Sequence, residues 1–445
     1  MNGLTRNLAE FVASLEFNKI PAAAVATVKR GFIDCIGVMF AGRDEPVVKL
    51  LLNEIVFSEK RESRILFDRG FSSSPDAALL NATAGHALDY DDVAIDGHPS
   101  VVLVPAILAE GERLGSSGME LIAAYVAGYE VWGELASRDA DKHHSRGWHP
   151  SGVFGAVAAA AAAARLAKLD GGRTTHALAA AASMAGGLTA NFGSMMKPLQ
   201  VARAAQSGLQ AARLAANGFT ASPDALEHRN GFLNAFSPAG RVRTDGELAA
   251  WHILKNGLNI KRYPVCYALH RSIDGLLSLN SGKKINPEKI REIELSIGKL
   301  QAGMLRHSRP QNALDAKFSA EFAASSAVVA GRVGLAELSD GFVRSAAVQQ
   351  MLAKVKVLPV DDPDPDEPLF SRSDRARVTL TDGTVLVGEP VSRALGHAHN
   401  PLGMDDLRLK FDDCVGTALP SLRRDALFEH LASLEKLASV VALYT

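Results

Sequence analysis

The sequence predicts a mainly α-helical protein, with a large all-helical domain formed by both chain ends and a smaller inserted α+β domain. Three observations carry this expectation. Apolar residues recur with helical period in nearly every segment from Leu4 to about Gly257. Alternating, β-branched runs begin only after Tyr263-Pro264, and helical patterning resumes at Asp405. The expected boundaries are 1–262, 263–397 and 398–445.

Strong helix formers fill Pro21–Ala41, Pro75–Leu88, Met119–Leu135, Gly152–Leu169, Thr174–Ala185 and Pro198–Gly218. Alanine and glycine dominate Val153–Ala167 and Ala177–Gly187. Small side chains let helix backbones approach closely, so these runs read as central, buried helices. A flexible linker is the competing reading, and Leu166, Leu169 and Leu178 punctuate the run against it. Beyond Tyr263, Ile290–Ile297 alternates in part and Val355–Val360 is a second strand. Arg375–Thr381 and Thr384–Val387 flank Asp382-Gly383, a hairpin signal that suits a tight primed turn. Helices are expected at Ala316–Val333, Ser345–Leu352, Asp405–Phe411 and Ser421–Leu443. Asp361–Glu367, acidic and broken by proline, reads as a surface loop.

Composition narrows the partners. Lys plus Arg (48) nearly balance Asp plus Glu (49), so no basic field points to nucleic acid. The three cysteines, Cys35, Cys266 and Cys414, lie far apart, which fits a reducing compartment and no zinc or disulfide framework. Met1–Phe17 is amphipathic and carries acidic residues, unlike a signal peptide. The longest apolar stretch, Val153–Ala164, is too short to span a bilayer. A soluble cytoplasmic protein without membrane partners is expected.

The tripeptide His-Pro-Ser occurs twice, at His98-Pro99-Ser100 and His149-Pro150-Ser151, each before a helix-prone run. Proline disfavours the α conformation before it and fits the first helical position, so each histidine is placed at a helix start. There the unsatisfied N–H groups attract anions and disfavour protonated imidazole. Plain helix capping could produce one such triplet; two point to a shared site. Lys197-Pro198 repeats the device with an amine, which the apolar neighbours Met195, Met196 and Leu199 make half-buried and in need of an anion. Lys261-Arg262-Tyr263-Pro264-Val265-Cys266 offers two cations and a phenol at the inferred domain junction.

Acidic residues cluster just before His98, at Asp89, Asp91, Asp92 and Asp96. Such a cluster can orient a histidine, cap a helix or bind a metal. Asp91, Asp92 and Asp96 also have the spacing of a magnesium–diphosphate motif, but its second copy would fall in the proline-broken Asp361 loop. His143 and His144 read as solvated loop residues, and no familiar metal-ligand spacing is completed around them. No metal is expected.

Taken in order, these motifs make the chain similar to the 2-methylcitrate dehydratase (MmgE/PrpD) family. The resemblance rests on Ala87-Leu88-Asp89-Tyr90-Asp91-Asp92, His98-Pro99-Ser100, Gly147-Trp148-His149-Pro150-Ser151-Gly152 and Lys197-Pro198-Leu199. Gly208, Gly218, Gly231-Phe232, Lys261-Arg262-Tyr263-Pro264, Asp315-Ala316-Lys317-Phe318-Ser319, Asn400-Pro401 and Lys410-Phe411 continue it. It implies a helical domain with an inserted α+β lid, a homodimer, and chemistry on small di- or tricarboxylates without cofactor. Those chemistries are dehydration of 2-methylcitrate or citrate, decarboxylation of cis-aconitate and epimerisation of iminodisuccinate. The family's active-site positions fall on Asp89, His98, His149, Lys197 and Lys261.

Three positions depart from the family pattern. Gln200 stands where many members carry histidine, Val93 where decarboxylase-like members have threonine, and Cys266 where those members have histidine. The expectation is therefore a hydro-lyase, with an epimerase as runner-up, a decarboxylase behind it and a catalytically silent binding member as the different-class alternative. His149 is the expected base, His98 its acid or hydrogen-bonded partner, and Asp89 the orienting carboxylate. Lys197 and Lys261 would stabilise an enolate-like charge. Arg262, Tyr263, Cys266 and Gln200 are the expected substrate contacts.

Overall fold

The structure is a computed structural model describing residues 3–67, 70–139, 143–237, 242–249, 251–282 and 285–444. The chain is mainly helical, with strands confined to two small sheets among the described residues. It divides into two compact units, Met1–Asn259 with Met404–Thr445, and Ile260–Gly403.

The first unit is helical. It runs through α1 (Leu4–Ser14), α2 (Ala22–Gly42), α3 (Pro46–Leu52), α4 (Ser74–Ala87), α5 (Pro99–Leu114) and α6 (Gly118–Arg138). It continues with α7 (Pro150–Leu166), α8 (Gly171–Met184), α9 (Met196–Ala216) and the short α10 (Phe232–Phe236) and α11 (His252–Asn256). A two-residue ribbon, β1 (Ser63–Arg64) with β2 (Phe71–Ser72), sits between α3 and α4. Start signals explain the helix beginnings. Pro99 and Pro150 occupy first positions, Ser117 and Glu120 form a capping box for α6, and Asp170 caps α8.

The alanine run of α7 is the centre of this unit. Pro150–Ala164 are buried throughout, and α7 packs against α5, α6, α8 and α9. At its crossing with α9 the backbones nearly touch. A Cβ on Gly208 would lie 2.5 Å from Ala159 Cβ and 2.6 Å from Ala156 O. Glycine is what allows that distance.

The second unit holds α12 (His270–Gly282), β3 (Ile290–Gly298), α13 (Lys299–Met304), α14 (Ala313–Ala316) and α15 (Ala320–Val329). It continues with α16 (Asp340–Val343), α17 (Ala346–Leu352), β4 (Val355–Val360), β5 (Arg375–Leu380) and β6 (Val385–Val387). Its sheet has the order β4-β3-β5-β6, parallel between β3 and β4 and antiparallel elsewhere. Ile290, Ile293, Leu295 and Ile297 of β3 join Ile273 and Leu276 of α12 and Ala323 and Ala327 of α15 in one core. A bulge between Ile290 and Glu292 explains the partial alternation in the sequence, because it returns both Ile290 and Ile293 to the buried face.

The hairpin turn differs from expectation. Gly383 N–H bonds Leu380 O and Leu380 N–H bonds Thr384 O, so the loop has three residues. Only Gly383 takes a positive φ (90°), which makes Thr381-Asp382 the turn centre rather than Asp382-Gly383. The helix expected at Ala316–Val333 is interrupted where Ser319 caps α15. The acidic loop is less exposed than its composition implied. Asp364 is buried against Arg393 at 2.6 Å, and Glu367 meets Arg271 at 2.6 Å and His397 at 2.8 Å.

The chain then returns to the helical unit as α18 (Met404–Val415) and α19 (Ser421–Ala432). α19 stops at Ala432 instead of running to Leu443. The segment beyond it gives Leu437 O to Gly118 N–H and Val440 N–H to Ser116 O, bonds a continuing helix could not make.

Candidate active site

The loop joining α4 to α5 (residues 88–98) carries the whole acidic cluster, Asp89, Asp91, Asp92 and Asp96. Asp89, Ile95 and Asp96 all have positive φ (54°, 49° and 58°). Such residues cost of order 1–3 kcal/mol each, and the surroundings must hold them. Several bonds do so. Val93 pairs with Asn259 through both backbone groups, at 2.9 and 3.0 Å, and Trp132 Nε1 donates to Ile95 O at 3.2 Å. From α18, Lys410 Nζ donates to Tyr90 O at 2.9 Å, lies over the Tyr90 ring and pairs with buried Asp34 at 2.5 Å.

His98 and His149 stand immediately before α5 and α7, as expected. The two triplets are also joined, because His98 N–H donates to Ser151 Oγ at 3.1 Å. The serine of the first triplet has another task. Ser100 bonds Asp92 through both its N–H and its hydroxyl, and also Tyr125. Burial, with Asp34 and Asp91 nearby, pushes the Asp92 carboxyl well above the usual range despite these bonds. Asp92 is thus tied to the first turn of α5 through Ser100.

Asp91 is its opposite. Burial alone would raise its carboxyl, but His86 and His98 outweigh that and hold it well below the usual range. It takes the His86 Nδ1–H at 2.8 Å, and His98 Nδ1 lies 3.0 Å away, somewhat out of line for a full hydrogen bond. His86, the last buried residue of α4, is lowered to about 4 by burial and so stands neutral, edge-on to His98 with ring centroids 4.5 Å apart. His98 Nε2 lies 3.9 Å from Asp89 Oδ1, and the same oxygen is 2.9 Å from Lys197 Nζ.

Lys197 reaches Asp89 from the first turn of α9. That helix starts two residues earlier than its proline implied, with Met196 first and Pro198 third. The amine has the anion its setting demanded, and its side chain is 15% exposed. Lys197 also lies over the Phe192 ring, which meets the His149 ring edge-on at 4.8 Å. His149 is buried and lowered to about 2, first by burial and then by His86, His98 and Lys197. Gln200 Nε2 lies 2.8 Å from its Nδ1.

Asp89, His98, His149, Lys197 and Gln200 are thus brought together in the helical unit. His86, Asp91 and Phe192 complete the cluster and were missed as site residues. The sequence signal for His86 was a histidine at the end of a small-residue helix five positions before an aspartate. It acquires meaning only when the loop folds back. Lys261, Arg262, Tyr263 and Cys266 belong to the other unit. Lys261 is buried, Tyr263 donates its hydroxyl to Asp274 at 2.6 Å, and Cys266 N–H bonds Lys317 O. Arg262 lines a cleft of about 970 Å³ with Asp274 and Arg393. Pro264 does not open a helix; the next helical turn starts at Tyr267.

The diphosphate-type trio separates. Asp91 faces histidines, Asp92 faces Ser100 and Asp96 is exposed. His143 is buried and bonded to Asp139, not solvated. Among the described residues, His86, Asp89, Asp91 and His98 could each turn one atom toward a cation. The Lys197 ammonium already supplies positive charge to Asp89, which weakens the claim of that carboxylate on a cation.

The geometry gathers histidines, carboxylates and an amine at helix ends of a mainly helical unit. Family models for the MmgE/PrpD N-terminal domain and the MmgE/PrpD C-terminal domain match residues 6–245 and 263–434. The chain belongs to the MmgE/PrpD family. It is 28% identical to cis-aconitate decarboxylase of Mus musculus over 98% of this chain and 91% of that protein. The cis-aconitate decarboxylase of Homo sapiens is 26% identical, over 100% and 94%, and that of Aspergillus terreus 25%, over 99% and 95%.

These relatives correct the expected reaction class. They are named as decarboxylases, hence carboxy-lyases, not hydro-lyases or epimerases. The expectation had leaned on Val93 and Cys266. Val93 is fixed by backbone pairing with Asn259, which any residue but proline can make, so its side chain is weak evidence about the bond that breaks.

No helix among the described residues is long and apolar enough to cross a membrane.

Proposed function

We propose that the protein is a carboxy-lyase that removes CO2 from a small unsaturated tricarboxylate of the cis-aconitate type. The observation that carries this reading is the Lys197–Asp89 ion pair, flanked by His98 and His149 at two helix starts. The names of the full-length relatives supply the reaction.

The chemistry balances without an added redox partner. The carboxylate on the methylene carbon leaves as CO2, and its bonding pair becomes a new C=C. The old C=C pair moves onto the carboxylate conjugated with it, giving an enediolate, and one proton is then delivered to the far alkene carbon. The site must hold carboxylates, stabilise that enediolate and supply the proton. Lys197 provides a compact cation, and the N–H groups opening α5 and α7 add positive potential. His98 has a carboxylate near each ring nitrogen, which suits it to carry the proton.

The test is incubation of the purified protein with cis-aconitate in heavy water. CO2 should evolve and a methylene-bearing dicarboxylate should accumulate with one deuterium at the former alkene carbon. Consumption of substrate without CO2, or no turnover at all, refutes the reading.

A further inference from the structure

From the bonding around Gln200 we infer that this side chain fixes His149 as the Nε2–H tautomer, making His149 a hydrogen-bond donor to the reacting carboxylate rather than a base. The inference rests on the carboxy-lyase reading for its reaction, but the tautomer itself is argued from the backbone.

The Leu188 peptide sets the orientation of the Gln200 amide. Residues 147–149 pair antiparallel with 187–189: His149 N–H bonds Gly187 O at 2.9 Å, and Thr189 N–H bonds Gly147 O at 2.8 Å. This fixes the Leu188 peptide beside the His149 ring. Leu188 N–H can only donate, and it meets Gln200 Oε1 at 3.0 Å. Leu188 O can only accept, and it lies 3.2 Å from Gln200 Nε2. Turning the amide over would set donor against donor and acceptor against acceptor, so the backbone dictates its orientation. The remaining Nε2 hydrogen then points at His149 Nδ1, 2.8 Å away. That nitrogen must accept, so the proton of the neutral ring resides on Nε2.

Two further features support this. Gln200 is buried, and a Cβ on Gly187 (φ 141°) would come within 3.2 Å of its Oε1, so the glycine leaves little spare room around the amide. Burial at a helix start, with Lys197 and His98 nearby, keeps the ring neutral, so Nδ1 remains an acceptor at working pH. A neutral imidazole with Nε2–H cannot take a proton through that nitrogen. It can stabilise an oxyanion as the enediolate forms, which leaves proton delivery to His98. Gln200 is then a positioning residue acting through His149.

The test uses the full chain with 15N-labelled histidine at pH 7.5, with His149→Gln assigning the resonance. In the wild type Nδ1 should show the unprotonated shift and Nε2 the protonated one. Gln200→Glu, whose carboxylate can only accept, should reverse that pattern. It should also lower kcat about 100-fold with little change in KM. Gln200→Met serves if the glutamate variant does not fold, and should give a tautomer mixture. His149→Gln retains a donor near the Nε2 position, so it should keep at least ten times the kcat of His149→Leu. A protonated Nδ1 in the wild type, or equal loss in His149→Gln and His149→Leu, overturns the inference. The expected nitrogen pattern without CO2 from cis-aconitate supports the tautomer and refutes only the carboxy-lyase reading.

Discussion

Gly208 gives the sharpest test of how packing sets this site. Its Gly208→Ala variant places a methyl 2.5 Å from Ala159 Cβ and 2.6 Å from Ala156 O, both on α7. Ordinary contact begins near 3.4 Å, so α9 must retreat by 0.8 to 0.9 Å (3.4 less 2.6 and 2.5). Overpacking of this kind costs about 1–3 kcal/mol, while replacing a mid-helix glycine by alanine returns about 1 kcal/mol. The net loss is about 0–2 kcal/mol, too little to unfold a domain of this size. The effect on chemistry is larger. Gln200 and Lys197 lie on α9, about two and three turns before Gly208, and His149 opens α7. A shift of that size lengthens the 2.8 Å Gln200–His149 bond beyond hydrogen-bond range and should lower kcat about 100-fold. Urea unfolding can follow the tryptophans, because Trp132, Trp148 and Trp251 all lie in the helical unit. Gly303→Ala in α13, in the other unit and therefore followed by far-UV circular dichroism, is the control: apart from its own helix backbone and chain neighbours nothing lies within 4 Å of its Cβ, so it should raise stability by about 0.4–1 kcal/mol. Wild-type kcat in Gly208→Ala, or a stability gain matching the control, would refute the reasoning.

Three other outcomes follow from the same structure. Lys410→Met should cost about 3–5 kcal/mol by leaving Asp34 buried without its counter-charge, whereas Asp34→Leu with Lys410→Met should recover most of it; a double variant as weak as the single would show that the pair is not the cause. Ser151→Ala removes the acceptor of His98 N–H, so it should cost about 1–3 kcal/mol and lower kcat, and unchanged values of both would contradict the link between the triplets. His86 and His149 are lowered to about 4 and about 2, so below about pH 6.5 the unfolded chain takes up protons that the folded chain refuses, and stability falls with pH. From pH 6.5 to 5.5 the two together should remove about 2 kcal/mol, and His149→Gln should roughly halve that slope; a flat urea midpoint over this interval argues against both shifts.

Local physics made much of the fold legible. The alanine run of α7, punctuated by leucines, read as a buried helix rather than a linker, and Pro99 and Pro150 fixed where two histidines stand. Strand β4 appeared at its observed bounds because a β-branched run between breakers has few alternatives. What stayed hidden depends on contacts distant in sequence. The bulge at Arg291 answers to β5, the end of α19 to Gly118 and Ser116, and the role of His86 to a loop held from elsewhere. Within the site, the residue types were readable but their couplings were not. The partnership of Lys197 with Asp89 spans 108 positions, and Gln200 looked like a departure from a pattern until its amide was seen against Leu188. The reaction class was misread because two side chains were weighed more heavily than likeness along the whole chain.

Lys410 carries a consequence for the order in which the candidate site can form. The loop bearing Asp89 and Asp91 is tied at Tyr90 O by an amine 320 residues later in the chain, beyond the whole inserted unit. During synthesis Asp34 and the loop emerge early and must wait, one without its counter-ion and the other without its tether. The arrangement of the candidate site can therefore be set only after α18 has left the ribosome and docked on α2. A nascent chain halted before that point would hold all the candidate site residues of the helical unit and still lack a finished site.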